Sequence, residues 1–251
     1  MVDRLIPIAE GFWNIRGSFK VLGLLDLGTQ SSLVRLHSGR FVLLDCYTLE
    51  GNVADEVLAR TDGGKMIEAI INLHPFHTIH VKAVADQFPG ARLYGTKRHQ
   101  ERIPQLSWAP EKTESTAFAA LFREDFDFSV PRGVDFVPSN QNLHFSSVLA
   151  VHRASRTLHV DATLNYLPFP WGERLSFHPT LGRVLERREG ATDDFRAWAE
   201  ELVDRSKAID RVCTAHARLP RGKKLGSVHD QVLSALERVE GTLRKHAQKY
   251  G

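Results

Sequence analysis

Cysteine is nearly missing from this chain. Cys46 and Cys213 are its only two, too few for a disulfide framework, and they read as buried thiols of a protein kept in a reducing compartment. Long apolar runs are missing too. The stretch Phe41 to Leu44 and the pair Ile70 and Ile71 fall far short of the roughly 20 residues that cross a bilayer, so no transmembrane helix is expected. The opening residues, Met-Val-Asp-Arg-Leu-Ile-Pro-Ile, lack the basic, apolar and small-residue segments of a secretory signal, and a cytoplasmic location is the expectation. With 18 Gly and 11 Pro in 251 residues, and no repeat or low-complexity linker, collagen-like and disordered classes are excluded. The chain is long enough to bury a sizeable core, and residues 1–251 are read as one domain.

Acidic residues are scarce only at the C-terminal end. Residues 211–251 hold nine Lys or Arg against three Asp or Glu, which leaves the rest of the chain slightly acidic. The basic residues Arg218, Arg221, Lys223, Lys224, Arg244, Lys245 and Lys249 have no aromatic among them before Tyr250. The stacking and groove-reading patterns of nucleic-acid proteins are therefore absent, and the tail reads as a solvated helix face.

What is present is a mixture of two periodicities. Ser32 to Leu36 alternates into the turn His37-Ser-Gly-Arg40, and Phe41 to Leu44 follows as a buried strand of the same hairpin. Val53 to Ala59 has helical spacing up to Gly63-Gly64, and Met66 to Leu73 reads as the next strand. A short helix carrying Ile79, Val84 and Phe88 stops at Pro89-Gly90, and Ala91 to Tyr94 is again strand-like. The segment 97–130 is irregular, with Phe118, Phe122, Phe126 and Phe128 taken as core. Ser146 to Val151 and Thr157 to Asp161 form a second hairpin, and Leu181 to Glu189 is expected to be helical. Thr192 is placed as the cap of a helix with the stripe Phe195, Trp198 and Leu202. Arg211 to Ala215 is a strand. A last amphipathic helix, about 227–246, opens at Ser227 and lines up Val228, Val232, Ala235, Val239 and Leu243 on one face. Hairpins at both ends with helices between and after them predict two mixed sheets covered by helices.

Twelve histidines invite a search for a site. His37, His99, His229 and His246 fall in a turn or on helix faces taken as exposed. His74, His77 and His80 follow the end of a buried strand at three-residue spacing, where a strand feeds a loop and a helix. Functional groups gather at such ends, and the spacing suits a metal or substrate contact as well as a polar turn. His144 precedes a strand. His159 and Asp161 lie two apart and share a face, with Asp161 either reaching a site or capping the next turn. His216, after Val212-Cys-Thr-Ala215, reads by itself as structural.

In this order the residues resemble the metallo-β-lactamase-fold superfamily over about residues 20–220. Gly39-Arg-Phe-Val-Leu-Leu-Asp45 is similar to that family's strand ending in Asp. Ile71-Asn-Leu-His74 through Phe88-Pro-Gly-Ala-Arg-Leu-Tyr94 is similar to its metal loop and next strand. His144 to Thr163 is similar to its later histidine, hairpin and bridging Asp, and Val212-Cys-Thr-Ala-His216 to its final histidine. The family's H-x-H-x-D-H motif is met at His74 only, because Phe76, Thr78 and Ile79 occupy the remaining positions. Against the family's G-D-T, Asp161 falls on the Gly and Ala162 on the Asp.

The resemblance implies an α+β fold, a four-layer αβ/βα sandwich of two mixed sheets flanked by helices. It implies metal ligands drawn from His74, His77, His80, His144, Asp161 and His216, with Asp161 and His216 also catalytic, Asp161 orienting water and His216 donating to an oxyanion. The cofactor would be one divalent metal, zinc first with iron or manganese as alternatives, or none, since Thr78 and Ile79 supply no ligands. A metal-activated water would then hydrolyse an ester, thioester, lactone or phosphoester-type small substrate. The alternative is a non-catalytic binding protein of the same fold that has lost its dinuclear site. The expected partner is a small-molecule substrate or ligand, with no nucleic acid and no membrane, and a homodimer is left open.

Overall fold

The computed structural model describes residues 3–18, 20–21, 25–26, 28–169, 172–215 and 227–251. The first half begins with strands β1 (Arg4–Ala9) and β2 (Phe12–Gly17), a small hairpin of β3 (Lys20–Val21) and β4 (Leu25–Asp26), and then β5 (Thr29–Arg35) and β6 (Phe41–Leu44). Helix α1 (Gly51–Arg60), β7 (Ile67–Ile71), α2 (Val81–Gln87), β8 (Arg92–Gly95), α3 (Lys97–Arg102) and β9 (Trp108–Lys112) complete it. One seven-stranded sheet results, in the order β1-β2-β5-β6-β7-β8-β9. Its first half is antiparallel, whereas β6 to β9 run parallel because α1, α2 and α3 supply the crossovers that parallel pairing needs.

The second half starts with α4 (Thr116–Leu121), β10 (Phe126–Ser129), β11 (Leu149–His152) and β12 (Thr157–Val160). A hairpin of β13 (Leu164–Phe169) and β14 (Gly172–Phe177) follows, then α5 (Leu181–Val184), α6 (Ala191–Ser206), β15 (Arg211–Thr214) and α7 (Val228–Tyr250). The second sheet has the order β10-β11-β12-β15, with β15 parallel to β12.

Strand alternation sorts the apolar side chains into three cores, and these define four layers. Phe12, Val34, Val42, Leu44, Ala69 and Ile71 of the first sheet meet Phe126, Ala150 and Cys213 of the second between the sheets. On the outer face of the first sheet Leu33, Leu43 and Ile70 receive Val53 and Val57 of α1 and Val81 and Val84 of α2. On the outer face of the second, Leu158, Val160 and Val212 receive Phe195, Trp198 and Leu202 of α6 and Val232 and Leu243 of α7. The chain is thus an α+β sandwich of two mixed sheets with helices outside, and Phe118, Phe122 and Phe126 are core. Among the described residues no helix is long and apolar enough to cross a membrane.

Two local expectations are corrected, and one hairpin is added. The helix expected over 181–189 stops at Val184, because the next residues are drawn into pairing with the segment before them. Leu185 bridges Val134, Asp135 N–H donates to the Val184 carbonyl, and Glu186 N–H donates to the Gly133 carbonyl. Thr192 is not a cap. It lies inside α6 and is buried, and the cap is Gly190 in the left-handed region at φ 76°. The helix start is pressed against Gly133, where an added Cβ would lie 2.0 Å from the Ala191 carbonyl oxygen. The β13–β14 hairpin has no clear signal in the sequence, since Pro168 and Pro170 argue against a strand. Ser227 does cap α7, its Oγ accepting the Asp230 N–H at 3.1 Å, and the helix continues to Tyr250.

The long α7 is held to the sheet by side chains that are wholly out of water, Val232 and Leu243 among them. Leu243→Ala is expected to cost about 2–5 kcal/mol, read as a fall in the urea midpoint at unchanged slope. An unaltered midpoint would mean that α7 is not part of the cooperative unit.

Candidate metal centre

The face between the sheets changes character along the strands. Phe12 and Val34 are apolar, but the inward positions that follow on β2 and precede on β5 are Asn14, Arg16, Gln30 and Ser32, all buried. These polar groups satisfy one another across the sandwich. Asn14 Nδ2 donates to Gln30 Oε1 and to Ser32 Oγ, each at 3.0 Å. Gln30 Nε2 donates to the Val160 carbonyl at 2.8 Å, and Arg16 Nη1 to the Thr214 carbonyl at 2.5 Å, so two side chains of the first sheet bind backbone of the second. Burial lowers the Arg16 pKa from its usual value, while Cys213 and Asp161 pull the other way.

Asp45 sits where β6 ends, at the carboxyl edge of the parallel strands. Its φ of 55° is in the left-handed region, which Asp tolerates better than most residues and which turns the carboxylate inward. Oδ1 accepts the N–H groups of Leu73 at 2.7 Å and His74 at 3.2 Å, and Oδ2 lies 3.0 Å from His159 Nε2. His159 Nδ1 in turn contacts Ser32 Oγ at 3.0 Å. Of the pair His159 and Asp161, the histidine therefore goes to the support of the loop, and Asp161 goes to the cluster.

That cluster consists of His74, His77 and Asp161, whose nearest nitrogen and oxygen atoms lie within 4.8 Å of one another. His74 and Asp161 are buried, and His77 keeps a quarter of its side chain exposed. The His74 and His77 rings stack at 4.2 Å between centroids, and His77 Nδ1 lies 2.8 Å from Asp161 Oδ2. Burial works against protonation of His77, but the Asp161 carboxylate, with a contribution from Asp45, holds its pKa above the ordinary value. Phe76 N–H donates to His74 Nδ1 at 3.1 Å, which orients that ring. Two imidazoles and one carboxylate are a donor set that suits a borderline divalent ion.

The remaining candidates sit apart from this group. His80 Nδ1 contacts Thr48 Oγ1 at 2.8 Å, and its ring packs on Tyr47 at 4.9 Å. Tyr47 itself lies flat on Gly17, where an added Cβ would fall 2.1 Å from the phenol ring. His144 is exposed at the rim, 6.0 Å from His74 between ring centroids, with Nε2 donating to the Gln141 carbonyl at 3.0 Å. Burial lowers the His144 pKa. Phe76 fills the space between, stacked on His144 at 4.4 Å, with the Arg98 guanidinium 4.4 Å above its ring. His216 lies outside the described residues.

Two histidines taken as solvent-facing are not. His99 is wholly buried because its ring closes a capping box with Thr96 at the start of α3 and reaches the His77 carbonyl at 3.2 Å. His246 is 8% exposed on the inner side of α7. Both thiols are buried and unbridged, and burial pushes Cys213 up to about 12.

No family model matches the chain, and no curated protein matches it. Solved structures do. The metallo-β-lactamase FIM-1 from Pseudomonas aeruginosa, in its mono-zinc form, is 9% identical over 95% of this chain and 96% of its own, with a TM-score of 0.59. The metallo-β-lactamase DIM-1 is 14% identical over 97% of each chain, at a TM-score of 0.61. A metallo-β-lactamase from Erythrobacter litoralis is 11% identical over 94% of this chain and 96% of its own, at 0.60. Likeness at such identities is likeness of fold, and the fold is that of the metallo-β-lactamases.

Two measurements follow from this geometry. Asp45→Ala removes the acceptor of two loop N–H groups and the partner of a buried imidazole, and is expected to cost about 3–5 kcal/mol of unfolding free energy. A smaller loss, within experimental error of zero, would mean that the loop stands without it. His99 is driven down to about 4, chiefly by burial. A histidine whose folded pKa lies below its unfolded value leaves more protons on the unfolded chain. Its stability contribution is therefore complete above the unfolded pKa of about 6.5 and is lost as pH falls toward 4. His99→Gln should flatten the stability profile in that window, and an unchanged slope would place the acid sensitivity elsewhere.

Proposed function

We propose that this chain is a hydrolase in which His74, His77 and Asp161 hold one divalent ion, zinc by its fit to nitrogen and oxygen donors, and that it cleaves an ester, thioester, lactone or phosphoester-type bond in a small molecule. The observation that carries the reading is the convergence of two imidazoles and a carboxylate within 4.8 Å, at the carboxyl edge of the parallel strands. The fold supports it, since structures with the same architecture include a mono-zinc metallo-β-lactamase. When bound, such an ion polarises a carbonyl or phosphoryl oxygen and acidifies a water.

The chain's own residues account for the rest of the site. Asp45 fixes the backbone of His74 through two N–H groups and thereby sets where its ring stands. Asp161 holds His77 in place, and Arg16 supplies positive charge behind Asp161. Phe76, where the family motif has a histidine, excludes water beside His74 and carries Arg98, which puts a cation at the rim for an electron-rich substrate group. His144 and His216 remain in the proposal, His144 as an added ligand from the rim and His216 as the donor to the developing oxyanion. The same reading takes residues 1–251 as one cytoplasmic domain.

A non-catalytic binding protein is the second reading, and one observation favours it. His77 Nδ1 and Asp161 Oδ2 already lie 2.8 Å apart, and His74 Nδ1 already accepts a backbone N–H, so members of the cluster are paired as they stand. Elemental analysis of protein purified without an affinity tag separates the two. About one ion per chain is expected, falling with turnover of ester and phosphodiester model substrates in His74→Ala and Asp161→Ala, where loss of even a supporting contact costs about 10–100-fold in affinity. No ion after reconstitution would leave the binding protein, and two tightly held ions would mean that further histidines complete a second site.

A further inference from the structure

A cleft lies away from the histidine cluster, between loop 135–143, α5 and the last turns of α7, with a volume of about 730 Å³. Its size is that of sites that take metabolite-sized ligands. Arg183 and Arg187 reach it from α5 and the residues after it, and Lys245 and Lys249 from α7. None of these four makes an ion pair among the described residues. Arg188, beside them, is by contrast saturated by Glu186 and Asp194. Among the described residues the one acidic group lining the cleft is Asp135, whose carboxyl burial and the nearby Glu186 hold above its usual pKa. Four cations against one carboxylate repel one another, and an anion seated among them removes that repulsion.

The wall of the cleft carries an independent sign of a ligand. His246 is 8% exposed, and neither ring nitrogen is in a hydrogen bond. The Leu185 carbonyl faces it and favours its protonated form, but without hydrogen-bond geometry. A buried imidazole with both nitrogens in this condition is costly, because burial removes water without replacing it. His246 lines the cleft next to Tyr250, at 4.6 Å between ring centroids, and Lys249 lies 5.1 Å from the Tyr250 ring centroid. Leu143, Leu185 and Pro138 add apolar surface. The C-terminal dipole of α7 opposes an anion by about half a charge, which the cations exceed several times over.

We propose that this cleft is a binding site for a small organic phosphate, the phosphate held by Arg183, Arg187, Lys245 and Lys249, and the body of the molecule resting on the His246 and Tyr250 rings with His246 as its buried polar contact. The site is distinct from the histidine cluster, although the loop that walls it runs on into His144.

The protein of residues 1–251, freed of metal by chelation, is titrated calorimetrically with inorganic phosphate, pyrophosphate and AMP at low ionic strength. Saturable binding of AMP or pyrophosphate at one site per chain is expected, with a rise in melting temperature and a loss of affinity on adding salt. The double substitution Arg183→Gln and Lys249→Gln should weaken it about tenfold or more while leaving the ligand-free melting temperature unchanged. His246→Gln should weaken AMP more than inorganic phosphate. His74→Ala should bind as the parent does. The proposal is overturned if none of the three probes saturates, if the double substitution leaves affinity intact, or if binding is lost in His74→Ala, which would put the phosphate at the histidine cluster. Tight capture of a short single-stranded RNA without AMP binding would also overturn it, in favour of a nucleic-acid surface.

Discussion

The carboxylate of Asp45 is the constraint from which the rest of the site follows. It stands at the end of β6 in a left-handed backbone conformation, gathers the Leu73 and His74 N–H groups with one oxygen and faces His159 with the other. A single side chain thus ties the loop after β7 to a strand of the opposite sheet. A buried carboxylate is expensive unless its oxygens are occupied, and here the groups that occupy them are the backbone of one cluster member and the strand that ends in another. Stability and site geometry are for that reason the same interaction at this point.

The inner faces of the two sheets show how the sandwich accommodates such charge. Apolar side chains fill one end, and at the other Asn14, Gln30, Ser32 and Arg16 form a bonded layer whose partners include backbone carbonyls of the second sheet. Hydrogen bonds of this kind are directional, whereas apolar contact is not, so the polar layer fixes how the sheets align while the apolar layers supply most of the burial. Phe76 lies at the rim of this region, stacking on His144 and standing edge-on to His74.

The basic cleft has a parallel origin. Lys245 and Lys249 look in the sequence like a solvated helix face, and at the level of one helix they are. They acquire company only because α7 runs back across the sheet and meets Arg183 and Arg187, which precede the two lysines by some 60 residues. His246 is drawn inward by the same packing that buries Leu243, three residues before it.

By itself the sequence determined the layering. Alternation in Ser32–Leu36, the apolar run Phe41–Leu44, helical spacing in α1, α6 and α7, and the Ser227 cap depend on neighbours within a few residues, and local chemistry decides them. It also determined that chemistry gathers after Leu73 and at Asp161, because strand ends are visible as the ends of apolar runs. Tertiary structure alone decided which histidines meet. His74, His77 and His80 are equivalent by spacing, yet a turn in the loop sends His77 to Asp161 and His80 to Thr48. His159 and Asp161 share a face by period, yet Asp45 engages one and His77 the other. His99, taken as exposed, closes a cap beneath the loop. The His99 cap with Thr96 is local, but the other outcomes turn on contacts between segments far apart in the chain, where direction and distance are set by the packing of two sheets and not by residue type.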